Sequence, residues 1–515
     1  KATKAKQVQS RIKQLEKLEI IELPDKENKI RIKFPKPERI PKILLTLDNL
    51  SKYYNNKKVF DNISFSIEKN DKIAVVGPNG AGKSTLTKII LGLTEITSGK
   101  MIKSELTNIG YFSQEATEIL DSELTVWENL YYNVNDISLA QLRTLLGSFL
   151  FSDDDIEKKV KVLSGGEKNR LAICKLLLNN SNLLILDEPT AVLTPQETEQ
   201  LFAELINLKN QGHTIIFISH KIREVKEISD RITILRNGCQ VGEFLTNEVT
   251  EQEISNKIVG WKIDSKVEKK ELKEGEVRIR VKNLSYTSKD KSPILKDRSF
   301  IVRAGTIFGI AGVQGNGQTE LVEILTKTRN IQNGTIEING VDIRNLNIKT
   351  LRDLGYSYIP EDRMLKGVAS NASVSENLIS DEYDSPKLCK KSILRKGEIS
   401  KLAKSLVKQY SIKCSGIEAK VGSLSGGNIQ KIVVARECKN IPKVLIAEQP
   451  TRGVDIGAAN IIHRELVKLR DEGCAILLVS ADLSELMKLS DRLAVLYEGE
   501  IVAYFDDLSQ VTESE

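Results

Sequence analysis

The sequence contains no run of about 18 apolar residues, so no segment reads as a membrane-spanning helix. Its longer apolar runs, Leu183–Leu186 and Ala475–Val479, are strand-sized. Cysteine is sparse: Cys174, Cys239, Cys389, Cys414, Cys438 and Cys474, none of them in a C-x-x-C pair. That spacing argues against a zinc site or a disulfide framework, and suits small core residues in a reducing compartment. Three histidines are too few for a histidine-rich metal site. No secretory leader is visible, and the start at Lys1 rather than Met reads as a fragment or a processed product.

What is present is length and charge. The 515 residues predict two to four domains, with more than one large core. A hydrophobic share of 40% beside 28% charged residues fits soluble globular domains rather than disorder. The net charge of +6 is uneven: residues 1–42 hold 13 Lys/Arg against 6 Asp/Glu, a net +7, which leaves −1 for the rest. This arm fits either a solvated helix face or contact with phosphate-rich RNA.

Val8, Ile12, Leu15 and Leu18 recur at helical spacing, so residues 1–20 read as a charged helix. Prolines at 24, 35, 37 and 41 end it. From Ile43 the pattern is strand, turn, strand, loop, helix. Ile73–Val76 reads as a buried strand, and Lys83–Leu93 as the helix after a Gly-rich loop. A second copy follows. Ser164-Gly165-Gly166 recurs as Ser425-Gly426-Gly427, Asp187-Glu188 as Glu448-Gln449, and Ser219-His220 as Ser480-Ala481, each 261 residues later. Gly82 recurs as Gly317 after only 235, so the second copy carries 26 extra residues between these motifs. The polar stretch 246–276 reads as a linker.

Gly77-Pro78-Asn79-Gly80-Ala81-Gly82-Lys83-Ser84 fits G-x-x-x-x-G-K-[ST], between a strand and a helix. Such a loop closes backbone N–H groups around phosphates, aided by the helix N-terminus. Lys83 is the candidate for the β- and γ-phosphates, and Ser84 for Mg2+. A chance Gly-rich turn is the competing reading. Leu183–Glu188 is a buried strand ending in two carboxylates: Asp187 is placed to support Mg2+, and Glu188 to polarise an attacking water. Acidic residues at a strand end are also common without function. Ser164-Gly165-Gly166 opens an apolar helix, as an anion site or a plain N-cap. His220 follows a strand and can reach a γ-phosphate or be structural.

The order of these motifs, with Gln114 between the first and the third, resembles the ATP-binding cassette (ABC) family, twice over nearly all of residues 43–508. The resemblance implies two α/β P-loop NTPase domains, each with a mostly parallel sheet and a helical insertion, near 115–163 and 363–423. It implies an arm at 1–42, a first domain at 43–245, a linker at 246–276 and a second domain at 277–515. ATP and Mg2+ are the implied ligands. Catalysis falls to Glu188, His220 and Gln114, and the metal to Ser84, Gln114 and Asp187. ATP falls to Gly77, Pro78, Asn79, Gly80, Ala81, Gly82, Lys83, Ser84 and Thr85, with Tyr54 stacking on adenine. Core packing explains Tyr54 equally.

The second copy departs from the pattern. Gln318 replaces Lys, Gln449 the base, and Ala481 the His, while Glu361 takes the Gln-loop place. Cassettes of this family pair head to tail. Site one therefore joins the first P-loop to Ser425, Gly426 and Gly427; site two joins Gln318 and Gln449 to Ser164 and Gly165. Only site one has every catalytic part.

Two subfamilies share the chain. Ala191–Glu197, Tyr358-Ile-Pro-Glu-Asp-Arg363, Leu424–Gln430 and Glu448–Asp455 resemble the double-cassette ATPases of bacterial sugar and nucleoside importers. Leu145–Ser152 and Leu163–Leu171 resemble the second cassette of ABC-F proteins, whose basic interdomain arm residues 1–42 also resemble. The change falls at Leu186–Thr190, with register kept, so the chain reads as a composite, by homologous crossover or by two merged reading frames. The favoured implication is an importer ATPase, cytoplasmic and peripheral to the inner face of the cell membrane. Its partners are membrane permease subunits and a substrate-binding protein. A ribosome- and tRNA-associated ABC-F-like ATPase is the rival, and an ATPase without a native partner is the third reading.

Overall fold

The computed structural model describes residues 40–55, 57–113, 119–132, 138–179, 181–190, 193, 195–262, 268–288, 292–312, 315–508 and 511. Residues 1–39 of the expected arm, Gln114, Ala191, Val192 and Thr194 lie outside the described residues. The rest forms two compact units, the smaller from within 115–181 and 192–212.

In the larger unit the first copy builds one nine-stranded sheet from β1 (Ile43–Tyr54), β2 (Lys57–Glu68), β3 (Lys72–Val76), β4 (Ser98–Lys103), β5 (Ile109–Phe112), β6 (Leu183–Asp187), β7 (Thr214–Ile218), β8 (Arg231–Arg236) and β9 (Cys239–Leu245). The order is β4-β1-β2-β9-β8-β3-β7-β6-β5. β5, β6, β7, β3 and β8 pair in parallel. Their apolar runs follow from that position: β3, β6 and β7 are buried at every residue, as central parallel strands covered on both faces must be. β1, β2 and β4 form the antiparallel wing, joined to the rest through Asp61 against Cys239.

The second copy splits the same plan into two sheets. β10 (Val277–Thr287), β11 (Pro293–Arg303), β13 (Asn333–Ile338) and β14 (Val341–Asp342) make an antiparallel wing. β12 (Ile307–Ala311), β15 (Tyr356–Ile359), β18 (Val444–Glu448), β19 (Ala475–Ser480), β20 (Arg492–Tyr497) and β21 (Glu500–Phe505) run in the order β15-β18-β19-β12-β20-β21. A two-residue hairpin, β16 (Cys389–Lys390) and β17 (Ile393–Leu394), lies in the second insertion. One apolar core packs beneath the wing, around Ile279, Phe308 and Leu477; another on the far face, around Ile432, Leu445 and Leu478.

Five helices position the chemistry: α1 (Lys83–Ile90), α2 (Glu251–Val259), α3 (Gln318–Leu325), α4 (Gly426–Cys438) and α5 (Ile456–Asp471). The expected helix at 83–93 stops at Ile90, because a turn begins at Leu91 and Gly92 has φ 75°. The expected linker is partly folded. Thr250 and Glu253 form a capping box that starts α2, and Ile254 and Ile258, four residues apart on one face, are buried.

The smaller unit is helical by itself. Helices Val126–Tyr131, Leu139–Ser148, Gly165–Leu177 and Pro195–Asn210 bury Val126, Leu130, Leu142, Leu145 and Leu171 among others. Ser164 and Glu167 make the capping box of the third. The ABC-type fold class expected from the motifs, two α/β P-loop domains with helical insertions, is the one observed.

Candidate functional site

β3, β7 and β6 are neighbours in the first sheet and run in parallel, so their carboxyl ends meet. The Gly77–Gly82 loop follows β3, Asp187 and Glu188 end β6, and His220 follows β7. Ligands of open α/β sheets bind at such ends. Gly77 has to be glycine: a Cβ there would stand 2.2 Å from the Leu235 carbonyl oxygen. Gly82, at φ 98°, N-caps α1 and aims the helix amides at the loop.

Lys83 is buried, and its ammonium donates to Gly77 O at 2.6 Å and Pro78 O at 3.2 Å. These two bonds leave one of its three donors over. Burial pushes the ammonium below its ordinary value, against the pull of Glu188, Asp187 and Asp455. Ser84 Oγ lies 3.5 Å from Asp187 Oδ2. Burial first, and then the neighbouring Glu188, raise Asp187 from 3.8 to about 6; Lys83 and Ser84 act against that rise. An exposed hydroxyl beside a buried carboxylate is an oxygen donor set that a hard dication can take. Among the described residues no group of three or more His, Cys, Asp and Glu is arranged to hold a metal by itself.

Both oxygens of Glu188 lie 2.9 Å from His220 Nδ1. Glu188 adopts φ 51°, a left-handed conformation uncommon for a side-chain-bearing residue, and its N–H donates to Ile218 O. The carboxylate is thus fixed from both ends, at the rim of the loop. Thr85 is half-buried in the first turn of α1. Tyr54 ends β1 half-exposed, with Lys52 Nζ 4.7 Å from its ring centroid.

The second copy reaches this loop within the same unit. Asn79 N–H donates to Asp455 Oδ2 at 3.2 Å, while Oδ1 of the same carboxylate caps α5 through Ala458 N–H at 2.8 Å. A Cβ on Gly427 would lie 3.8 Å from Asp455 Oδ2. Ser425 N-caps α4 and accepts from Asn428 Nδ2, which leaves its hydroxyl proton free to donate. Arg363 donates to Arg452 O and Gly453 O, and packs where a Cβ of Gly426 would stand. Asp455 lies against the loop and Arg363 against Gly426, and motif reading singled out neither. Their signal was present in Glu448–Asp455 and Tyr358–Arg363, which served only as family marks. Gln114 is outside the described residues.

The counterparts in the second copy are present without the chemistry. Gln318 is buried, with its Nε2 unpartnered. Gln449 shares the left-handed backbone, at φ 45°, and its Oε1 accepts from Ala481 N–H. Glu361 pairs with Arg452.

A family model described as ABC transporter matches residues 60–191 and 295–452. The chain belongs to the ABC transporter family. A separate model of the same description matches residues 1–34. This ABC ATPase is 34% identical to the nucleoside import ATP-binding protein NupA of Lactococcus lactis subsp. cremoris, over 89% of this chain and 94% of that one. It is also 34% identical to the glucose import ATP-binding protein TsgD13 of Haloferax volcanii, over 89% and 92%. Among solved structures, the archaeal ribosome recycling factor aABCE1, in complex with stalk protein aP1, matches with a TM-score of 0.64 at 20% identity over 87% of each chain. That likeness is one of fold. Family membership carries ATP binding and ATPase activity. No helix of the described residues is long and apolar enough to cross a membrane.

Proposed function

We propose that this ABC ATPase is the ATP-hydrolysing subunit of a bacterial importer of sugars or nucleosides, working through one complete pocket. The observation that carries this reading is the inequality of the cassettes, Lys83, Glu188 and His220 against Gln318, Gln449 and Ala481, in a chain alike over nine-tenths of its length to import ATPases.

In this reading the loop amides of Gly80–Ser84 and the Lys83 ammonium hold the β- and γ-phosphates, and Tyr54 stacks on the adenine. Ser425, Gly426 and Gly427 close from the other cassette; the Asn79–Asp455 hydrogen bond supports that head-to-tail pairing. Glu188, held by His220, accepts the proton of the water that attacks the γ-phosphorus as the bond to the β–γ bridging oxygen breaks. Ser84 and Asp187 would hold Mg2+, with Gln114 the further ligand that the family resemblance implies; the ion would supply neutralisation of charge on the phosphate oxygens.

Closure and reopening of the pocket would drive a membrane permease, supplied with solute by a binding protein. A cavity of about 700 Å³ in the second cassette, bordered by Arg352, Lys366, Glu376, Ser380 and Arg436, supports a docking place for a permease segment. Cell fractionation tests the assignment: the chain is expected with membranes, held at their inner face through the permease. A second reading, a ribosome-associated ATPase, is favoured by the net +7 of residues 1–42. Recovery with ribosomes and not with membranes would replace the first reading by the second.

A further inference from the structure

The segment that leaves β18 at Glu448 ends at Asp455, whose Oδ2 accepts from Asn79 N–H in the first P-loop. Between these ends the second cassette ties it down. Gln430 Nε2, on α4, donates to Pro450 O at 2.8 Å. Thr451 Oγ1 donates to the buried Glu485 carboxylate at 2.7 Å, and Val454 enters the apolar core. The exposed tip of the segment, Arg452 and Gly453, is held from elsewhere, by Arg363.

Arg363 Nη1 donates to Arg452 O at 2.7 Å, and Nη2 to Gly453 O at 3.3 Å. Two consecutive carbonyls thus meet one planar guanidinium, a match that a single ammonium cannot make. Gly453 stands at φ 64°, where a side chain would be strained. A Cβ there would lie 3.4 Å from Nη2, and a Cβ on Gly426 only 2.6 Å from it. The guanidinium is therefore wedged between the first residue of α4 and the tip. Asp362 Oδ1 accepts from the N–H groups of Met364 and Leu365, which fixes the backbone that presents Arg363. Glu361 pairs with the Arg452 side chain, so the same two segments are bridged twice.

We propose that Arg363 is a positioning residue for ATP hydrolysis in the complete pocket: it sets the spacing between the start of α4 and Asp455, and so the approach of Ser425, Gly426 and Gly427 to the first P-loop. This rests on the cross-repeat pairing of that pocket, and adds which side chain of the second cassette fixes its geometry. Arg363 acts through Gly426 and the Arg452–Gly453 tip. Its loss misplaces groups that act on the γ-phosphate, while the P-loop that holds the nucleotide keeps its own contacts. The cost therefore falls on turnover and not on affinity.

The test is steady-state ATPase kinetics on the full chain, with equilibrium dialysis of a non-hydrolysable ATP analogue and thermal melts to confirm folding. Arg363→Met keeps the length of the side chain and removes its donors. It is expected to lower kcat by roughly 10- to 100-fold. KM and the dialysis Kd are expected to move by less than about 3-fold. Arg363→Lys, without the fork, is expected to fall between Arg363→Met and wild type. Asp455→Ala is expected to lower kcat as well, and the double variant with Arg363→Met to lose no more than the larger single loss, because both changes break one chain of contacts. An unchanged kcat in Arg363→Met, a loss carried by KM alone, or two losses that multiply overturns the proposal. If Arg363→Met does not fold, Arg363→Lys decides: a wild-type kcat there overturns the proposal too. If Asp455→Ala itself turns over like wild type, the cross-repeat reading fails with it; a loss in Asp455→Ala beside a normal Arg363→Met removes the role of Arg363 alone.

Discussion

Glu188 and Gln449 end equivalent strands with the same left-handed backbone, and differ by an oxygen for a nitrogen. The second cassette thus keeps the backbone geometry of Glu188 without its carboxylate. Replacing Glu188 by Gln makes the two strand ends alike. Phosphate release is then expected to fall by about 10²–10⁴-fold with ATP still bound, while Gln449→Ala leaves turnover nearly unchanged. Equal losses from both would refute the unequal-pocket mechanism. Asp187 carries a different cost. Its carboxyl titrates at about 6 in the fold against 3.8 as its ordinary value, mainly through burial. The folded state therefore binds the proton more tightly, and ionised Asp187 opposes folding above about pH 6. That opposition fades as pH falls from about 6 to 4, because both states are then protonated. Asp187→Asn is expected to raise the melting temperature of metal-free protein near pH 7.5, by up to about 3 kcal/mol of stability, with the gain shrinking towards pH 4. Thermal scans at the two pH values read this directly; a gain independent of pH would contradict it.

At the scale of elements, the strands and the P-loop helix were legible because their signals are local. An unbroken apolar run followed by glycines is a property of consecutive residues, as in Ile73–Gly82. α2 was not legible. Ile254 and Ile258 supply only two apolar positions in a charge-rich stretch, and what orders them is packing against β8, shortly before them in the chain, and against α5, in the far part of the second copy. The same holds for Arg363, whose role depends on Arg452 and Gly453 approaching it in space. The Tyr358 hydroxyl likewise donates to Glu448 only because β15 lies beside β18. Motif spacing records which residues recur, whereas non-local pairs are set by the sheet order. If α2 is a packed element rather than a tether, Ile258→Ala leaves a cavity and costs about 2–5 kcal/mol. Chemical unfolding of the full chain measures this; a change near zero would return the segment to the status of a linker.

At the scale of the molecule, the proposed mechanism draws its one complete pocket from residues of both repeats. The 261-residue register puts each signature serine at an equivalent place, Ser164 and Ser425, yet the two are unequal in what they serve. Through Asp455 and Gly427 the second cassette approaches the loop that holds Lys83. Family resemblance assigns Ser164 to the pocket without lysine, base or histidine. Ser164 caps its helix in a capping box with Glu167, whereas Ser425 holds the N-cap position of α4 without a side-chain cap bond, so exchanging Ser164 costs the more local stability, about 1 kcal/mol, and a loss of turnover confined to Ser425 is not a stability effect. In the proposed pairing, an arginine at Ser425 would fill the space through which α4's amides would approach the γ-phosphate. Ser425→Arg is therefore expected to lower kcat by about 100-fold or more, and Ser164→Arg to keep most of the turnover. Steady-state ATPase assays on the two variants distinguish cross-repeat pairing from self-contained cassettes. If each cassette closed on its own signature, the order would invert, because Ser164 would then face the only lysine and the only base.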